Sequence, residues 1–301
     1  MERPYWHDRG YCATVCGRVS TSADVLTGPE GHPLLRLVTE GRPGHLACAP
    51  GFLSPCDPAE MVGLLNFAKA QGAATGFFQF RGEDDSDVKI WLEDHAPYFL
   101  IEERSCVHIP LLADEEAMIA ACRRDTRSRL RAALREGVRY EFRLHENFSD
   151  FYDRIAGHNG FSAAYCYSAD EIEKMCRADG AWPVSVFDDT GAYLGGSLLG
   201  RVSAQMCDYI ISAYDSDNLN TGRAVLWASL RAALDLGFSA VNLGGGVLEE
   251  DGLYDFKMSF GGVPAAFYTI KIVFDSDAYQ AGYGEKAGAP PFDLTGRFPP
   301  S

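Results

Sequence analysis

Residues 218–262 read NLNTGRAVLWASLRAALDLGFSAVNLGGGVLEEDGLYDFKMSFGG, and the division of this stretch into elements decides the fold. Leu226, Leu230, Ala233 and Leu234 recur at helical spacing, and Gly237 can close the last turn as a left-handed cap, so the spacing predicts an amphipathic helix over 221–236. Residues 238–243 are short and apolar, the pattern of a buried strand, and run into Gly244, Gly245 and Gly246. Glycine lets backbone N–H groups approach a ligand closely and tolerates positive φ. Lys257 follows in the context Leu253-Tyr254-Asp255-Phe256-Lys257, with Phe260-Gly261-Gly262 beyond it. A cation beside a glycine-rich strand end suits a polarised carbonyl or a phosphate.

On the N-terminal side of this stretch, 182–187 and 192–199 read as strands around a turn at Asp188-Asp189-Thr190-Gly191, and 205–214 as a third strand. Ser168 with Glu171 is a capping box opening a helix that ends near Gly180, and 147–157 is a further helix. Residues 266–274 form the closing strand. From Asp114 the chain reads as helical to Gly137, acidic at its start and basic at its end. Eight arginines stand between Arg123 and Arg143, and those at 123, 127, 131 and 135 share one helix face. That stripe is either a solvated face or an anion site.

At the front of the chain, 1–56 alternates short apolar runs such as 34–38 with Gly and Pro, which predicts strands and loops. Asp57 and Pro58 open a helix whose Met61, Leu64, Leu65 and Ala68 share a face and which Gly72 ends. Residues 76–81, 98–102 and 106–110 read as strands, with an acidic loop at 83–87. The expectation is an α/β chain of two domains, 1–137 and 138–275. The tail from Asp277 is rich in Gly and Pro and is expected to be an extended or mobile end.

Composition narrows the function. The chain has 27 Lys and Arg against 42 Asp and Glu, a formal charge of -15, which argues against general nucleic-acid affinity, DNA binding and attachment to anionic membranes. No stretch is apolar enough for insertion into a membrane. The nine cysteines are scattered and odd in number, which fits no disulfide framework and predicts a cytoplasmic protein. No metal site is expected: Cys12 and Cys16 lack a His cluster.

Two fragments resemble a known family. The order helix, short strand, Gly-Gly, spacer, then Gly252-Leu253-Tyr254, Phe256-Lys257 and Phe260-Gly261 resembles the FemAB-like acyltransferases. Arg127-Ser128-Arg129-Leu130-Arg131-Ala132-Ala133-Leu134-Arg135-Glu136-Gly137-Val138 is similar to the basic helix that precedes the second domain of that family. The resemblance implies two tandem GNAT-like domains, each a mixed, mostly antiparallel sheet flanked by helices, with the tail (276–301) packed back on the first. It also implies an aminoacyl group passed from aminoacyl-tRNA to an amine of a small molecule or peptide, with phosphate contacts at Arg127 and Arg131. An acyl-CoA donor is the alternative. Gly222-Arg223-Ala224 supplies the G-x-A of the CoA-binding loop, but Leu219 stands where that loop has Gln or Arg.

The chemistry requires an amine nucleophile and donors aimed at a developing oxyanion. Lys257 and the backbone N–H groups of Gly244, Gly245 and Gly246 are the candidates for the oxyanion and donor, with Gly222 and Arg223 also assigned to the donor. Asp208, inside an apolar strand, and the acidic run Glu249-Glu250-Asp251 are candidate bases, although loop solvation explains the run equally well. Tyr209 and Tyr254 can donate a proton or hydrogen bond, or be core residues with the hydroxyl at the rim. Tyr214, His158 and Glu250 are the acceptor-side candidates. A non-catalytic twin-domain binding module remains open. A nucleotide-binding site on Gly244–Gly246 does not fit, since there is no G-x-x-x-x-G-K-[ST].

Overall fold

The helix expected over 221–236 is present as Thr221–Asp235, with Gly237 at φ +88° just beyond its end. The computed structural model describes residues 4–16, 22–31, 33–38, 44–48, 58–81, 85–135, 137–161, 165–215, 220–245, 252–295 and 298. In chain order its elements are α1 (Arg9–Cys16), β1 (Ser22–Thr27), β2 (Pro33–Val38), β3 (His45–Cys48), α2 (Pro58–Ala70), β4 (Thr75–Phe80), α3 (Ser86–His95) and β5 (Tyr98–Pro110). They continue with α4 (Glu115–Ala121), α5 (Arg124–Arg135), β6 (Arg139–Glu141), α6 (Phe148–His158), α7 (Ala169–Cys176), β7 (Ala181–Phe187), β8 (Tyr193–Arg201) and β9 (Met206–Tyr214). The last are α8 (Thr221–Asp235), β10 (Ala240–Asn242), α9 (Gly252–Met258), β11 (Val263–Val273) and α10 (Ser276–Tyr283).

Two compact units divide the chain: Met1–Asp8 with Ser105–Ala265, and Arg9–Arg104 with Ala266–Ser301. The division is discontinuous, so α4 and α5 group with 138–265, where the sequence reading set a boundary after 137. In the 105–265 unit the strands run β6-β7-β8-β9-β10 and then Ser105–Pro110 of β5. All neighbours are antiparallel except β9 and β10. In the 9–104 unit the order is β1-β2-β3-β4 and then the 266–273 part of β11, antiparallel except for β3 and β4. Each unit is therefore a mixed, mostly antiparallel sheet in which one helix, α2 or α8, connects the single parallel pair.

Each sheet needs an apolar cover. In the 105–265 unit α8 buries Val225, Leu226, Trp227, Leu230 and Ala233 against Val184, Val186, Leu199, Cys207 and Val241. Burying one Leu or Val side chain of this kind contributes about 1.5–3 kcal/mol. In the 9–104 unit Met61, Leu64, Leu65 and Ala68 of α2 meet Phe78, Phe80, Ile270 and Ile272.

Several expectations are corrected. Strands and loops were expected at the N-terminus, but Tyr5–His7 is a 3-10 turn and 9–16 is α1, which buries Tyr11, Cys12 and Val15 at helical spacing. The helix α3, burying Val88, Trp91 and Leu92, begins within the expected acidic loop. The strands expected at 98–102 and 106–110 are one strand, β5; Glu103 and Arg104 are exposed on it without breaking it. The helix expected from 114 to 137 is two, because Cys122 adopts extended backbone after α4 and the Arg123 N–H bonds to the Ser259 carbonyl. The tail is not extended throughout: Asp275 caps α10, and Tyr279, Tyr283, Phe292 and Leu294 pack with Val273.

Candidate active site

The geometry of the 105–265 unit follows from where β10 stops. β9 and β10 pair over Met206↔Ala240, Cys207↔Val241 and Asp208↔Asn242, after which β9 continues to Tyr214 while β10 has ended. Past that point the chain stays with β5: Leu243 donates its N–H to the Val107 carbonyl at 2.8 Å, and Val107 donates to the Gly244 carbonyl at 3.1 Å. Gly244 makes the turn at φ +69°, a conformation costly for any residue with a Cβ. Its N–H bonds to Asn242 Oδ1 at 3.0 Å. The two parallel strands thus part at their carboxyl ends, the place where open α/β sheets bind ligands. β9 also carries a bulge: Leu198 faces Ile211 and Leu199 faces Tyr209, leaving Ile210 extra, which bends and twists the strand next to the opening.

The short helix α9, about two turns long, lies at this turn, and none of its residues is fully buried. Tyr254 and Lys257, three apart, share its inner side. Lys257 Nζ donates to the Gly245 carbonyl at 2.6 Å, and a Cβ on Gly244 would stand 3.9 Å from that Nζ. Tyr254 shares a hydrogen bond of 3.0 Å with Ser105 Oγ, and a Cβ on Gly245 would lie 2.8 Å from the Ser105 carbonyl oxygen. Lys257, half-buried, is therefore held against the glycine turn.

Across the opening, Tyr214 lies against the first turn of α8. A Cβ on Gly222 would be 2.9 Å from its Cζ, so Gly222 serves this contact. Arg223 stacks over the Phe256 ring, its Cζ 5.5 Å from the centroid. Burial lowers the Arg223 pKa, and the Arg129 charge adds to that, while Asp125 and Tyr214 oppose it. α5 buries Thr126, Leu130 and Ala133; at about 100° per residue Arg127 and Arg131 flank one side of that face and Asp125 and Arg129 the other. The structure thus brings Arg129 toward Arg223, whereas Arg131 forms an exposed ion pair with Glu116 at 2.8 Å. Half-buried Arg127 lies beside Cys122, whose thiol pKa burial raises and the Arg127 charge partly lowers. Arg123, expected on the same stripe, precedes α5 and pairs with Asp255 at 3.5 Å.

Asp208 and Tyr209 face opposite sides of the sheet. Tyr209 packs toward α8, where burial pushes its pKa up and hydrogen bonds with Ser212 and Ser229 act in the other direction. Asp208, nearly fully buried, points to the other side, where Oδ1 accepts from Asn242 Nδ2 at 2.7 Å and Oδ2 from the Tyr5 hydroxyl at 3.1 Å. His158 ends α6, exposed to solvent. Gly246 and Glu250, with Glu249 and Asp251, lie outside the described residues. Sequence reasoning missed Tyr5, Ser105, Arg129 and Asn242. Only Asn242 carried a local signal, an Asn just before a glycine turn. Among the described residues no group of three His, Cys, Asp or Glu is placed to hold a metal, and no helix is long and apolar enough to cross a membrane.

Two units, each contributing a mixed set of strands with one parallel β-α-β pair, define a tandem α/β architecture. No family model matches the sequence, and no curated protein sequence does. Solved structures match along nearly the whole chain. FemX is 15% identical, with a TM-score of 0.67, over 90% of this chain and 92% of that one. The C-terminal domain of a putative lysylphosphatidylglycerol synthetase from Agrobacterium fabrum is 13% identical, TM-score 0.59, over 88% and 87%. L-PGS from Bacillus licheniformis is 12% identical, TM-score 0.58, over 90% and 89%. The chain has the fold of FemX, which is the fold the FemAB-like resemblance implied.

Proposed function

We propose that the protein is an N-acyltransferase that passes an aminoacyl group from aminoacyl-tRNA to an amine of a small molecule or peptide. The observation that carries this reading is the Lys257 ammonium, held 2.6 Å from the Gly245 carbonyl at the turn where β9 and β10 part. An acyl carbonyl bound in that opening would develop negative charge near a fixed cation, and stabilisation of this kind lowers the barrier most. The amine nitrogen attacks the ester carbonyl, the C–N bond forms, the C–O bond to the ribose breaks, and the proton lost by the amine ends on the departing hydroxyl. In this reading Tyr254, which shares a hydrogen bond with Ser105, delivers that proton. Arg129 and Arg223 add positive charge at the α8 end, suited to the donor's phosphates in an otherwise acidic chain.

The test incubates the protein with charged tRNA pools and, separately, with acyl-CoA thioesters, each with a mixture of amines. Amine-dependent deacylation of tRNA is the expected result. Loss of CoA thioester alone would reassign the donor, and loss of neither would leave the fold to a non-catalytic binding role.

A further inference from the structure

Asp208 belongs to a buried polar line that the proposed reaction does not use. Its two oxygens take the Tyr5 hydroxyl at 3.1 Å and the Asn242 amide at 2.7 Å, and Asn242 Oδ1 takes the Gly244 N–H at 3.0 Å. Tyr5 is fully buried, and Asp208 and Asn242 are 4% and 5% exposed. Both carboxylate oxygens of Asp208 are thus engaged by donors from two separate parts of the chain. The same bond fixes the Asn242 carboxamide: with Nδ2 donating to Asp208, Oδ1 faces Gly244 and accepts its N–H. The next residue, Gly245, supplies the carbonyl that holds Lys257 Nζ.

The fold makes room for this line. Gly200 faces Asp208 across β8 and β9, and a Cβ there would stand 2.4 Å from Tyr5 Cδ1. Only glycine lets the Tyr5 ring lie over β8 with its hydroxyl reaching Asp208. Trp6, 2% exposed and edge-on to Tyr5 at 5.1 Å, anchors the turn that carries it.

We infer that Tyr5, Asp208 and Asn242 are positioning residues, and that the N-terminal turn thereby forms part of the site: the line fixes the Gly244–Gly245 turn and so aims the Lys257 ammonium. This rests on the reading of Lys257 as the oxyanion-stabilising group. Outer-shell partners that orient metal ligands typically cost about 10- to 100-fold when removed, and an effect of that order is expected of an analogous positioning line.

Tyr5→Phe keeps the ring and removes the hydroxyl, and Gly200→Ala displaces the ring from a distance. Each is measured for kcat, KM and Tm, alone and combined with Lys257→Ala, while the Lys257 side-chain resonance is followed in protein carrying 13C-labelled lysine. Tyr5→Phe is expected to lower kcat about tenfold, leave KM within about twofold, shift the Lys257 resonance, and cost nothing further in the Lys257→Ala background. Full kcat in Tyr5→Phe, or an equal loss with and without Lys257, would reduce Tyr5 to a packing residue. An unmoved Lys257 resonance overturns the inference even if no substrate is in hand. If Lys257→Ala itself keeps the full rate, the functional reading of Lys257 fails, and the resonance alone then decides whether the line controls its position.

Discussion

In the 9–104 unit, α2 joins β3 and β4, which run parallel from His45↔Thr75 to Ala47↔Phe77; in the 105–265 unit, α8 joins β9 and β10 over Met206↔Ala240 to Asn242↔Asp208. Both helices bury an apolar stripe on their sheet, and both second strands are followed by a short helix. The two units part at that helix. α3 buries Val88, Trp91 and Leu92, closing its unit as core, whereas α9 has no fully buried residue, packs Tyr254, Phe256 and Met258 only partly against the core, and turns Tyr254 and Lys257 to a glycine turn. The polar pair on the parallel strands differs as well. His45 bonds Thr75 at 2.8 Å as a buried group whose burial lowers its pKa, while Asp208 is a carboxylate held by two donors. In the proposed reading one supersecondary unit serves as scaffold in one place and carries the candidate site in the other, the difference lying in the few residues after the second strand.

Three measurements would break or sharpen that contrast. Lys257→Ala should lower kcat/KM about 10²- to 10³-fold, the usual cost of removing one oxyanion donor, while Lys89→Ala on the exposed face of α3 should stay within about twofold. Equal effects at the two lysines would erase the distinction between the helices.

The His45–Thr75 pair makes the scaffold unit acid-labile. Burial takes His45 from its ordinary 6.5 down to about 4. Between those values the unfolded chain binds a proton that the folded chain does not, so stability is full above pH 6.5 and falls on acidification to about 4. The slope should approach about 1.4 kcal/mol per pH unit. Urea melts across that range should show the slope in the parent and a flatter profile in His45→Gln; parallel profiles would mean His45 is not buried neutral.

The smallest effect compares two glycines with φ +69°, Gly244 at the site and Gly72 after α2. Alanine at either should cost about 1 kcal/mol of unfolding free energy from the unfavourable backbone alone. Only Gly244→Ala should also reduce the rate, since a Cβ at Gly72 meets nothing within 4 Å. A matching rate loss at Gly72 would show that both positions act through general stability.

Much of the fold was legible from local patterns. The stripe of Met61, Leu64, Leu65 and Ala68, the Ser168–Glu171 capping box and the Asp188–Gly191 turn all stand where local chemistry placed them. The interruptions were harder. Charged residues in β5 imitated a loop, and the break at Cys122 depends on a backbone bond to Ser259, far along the chain. The arginine stripe was visible as a pattern, but its orientation was not, because periodicity fixes which residues share a face and not which neighbour the face meets.

By itself the sequence determined the α8 helix, the short strand and glycine turn after it, and Lys257 as a cation following that turn, because each is a matter of spacing within about 40 residues. The tertiary structure alone decided that Asp208 is held between Asn242 and Tyr5, that Gly200 clears the space for Tyr5, and that Arg129 rather than Arg131 approaches Arg223. Those relations join residues up to 203 positions apart, and contacts at such separation are set by how sheets and helices stack rather than by any local preference of the chain.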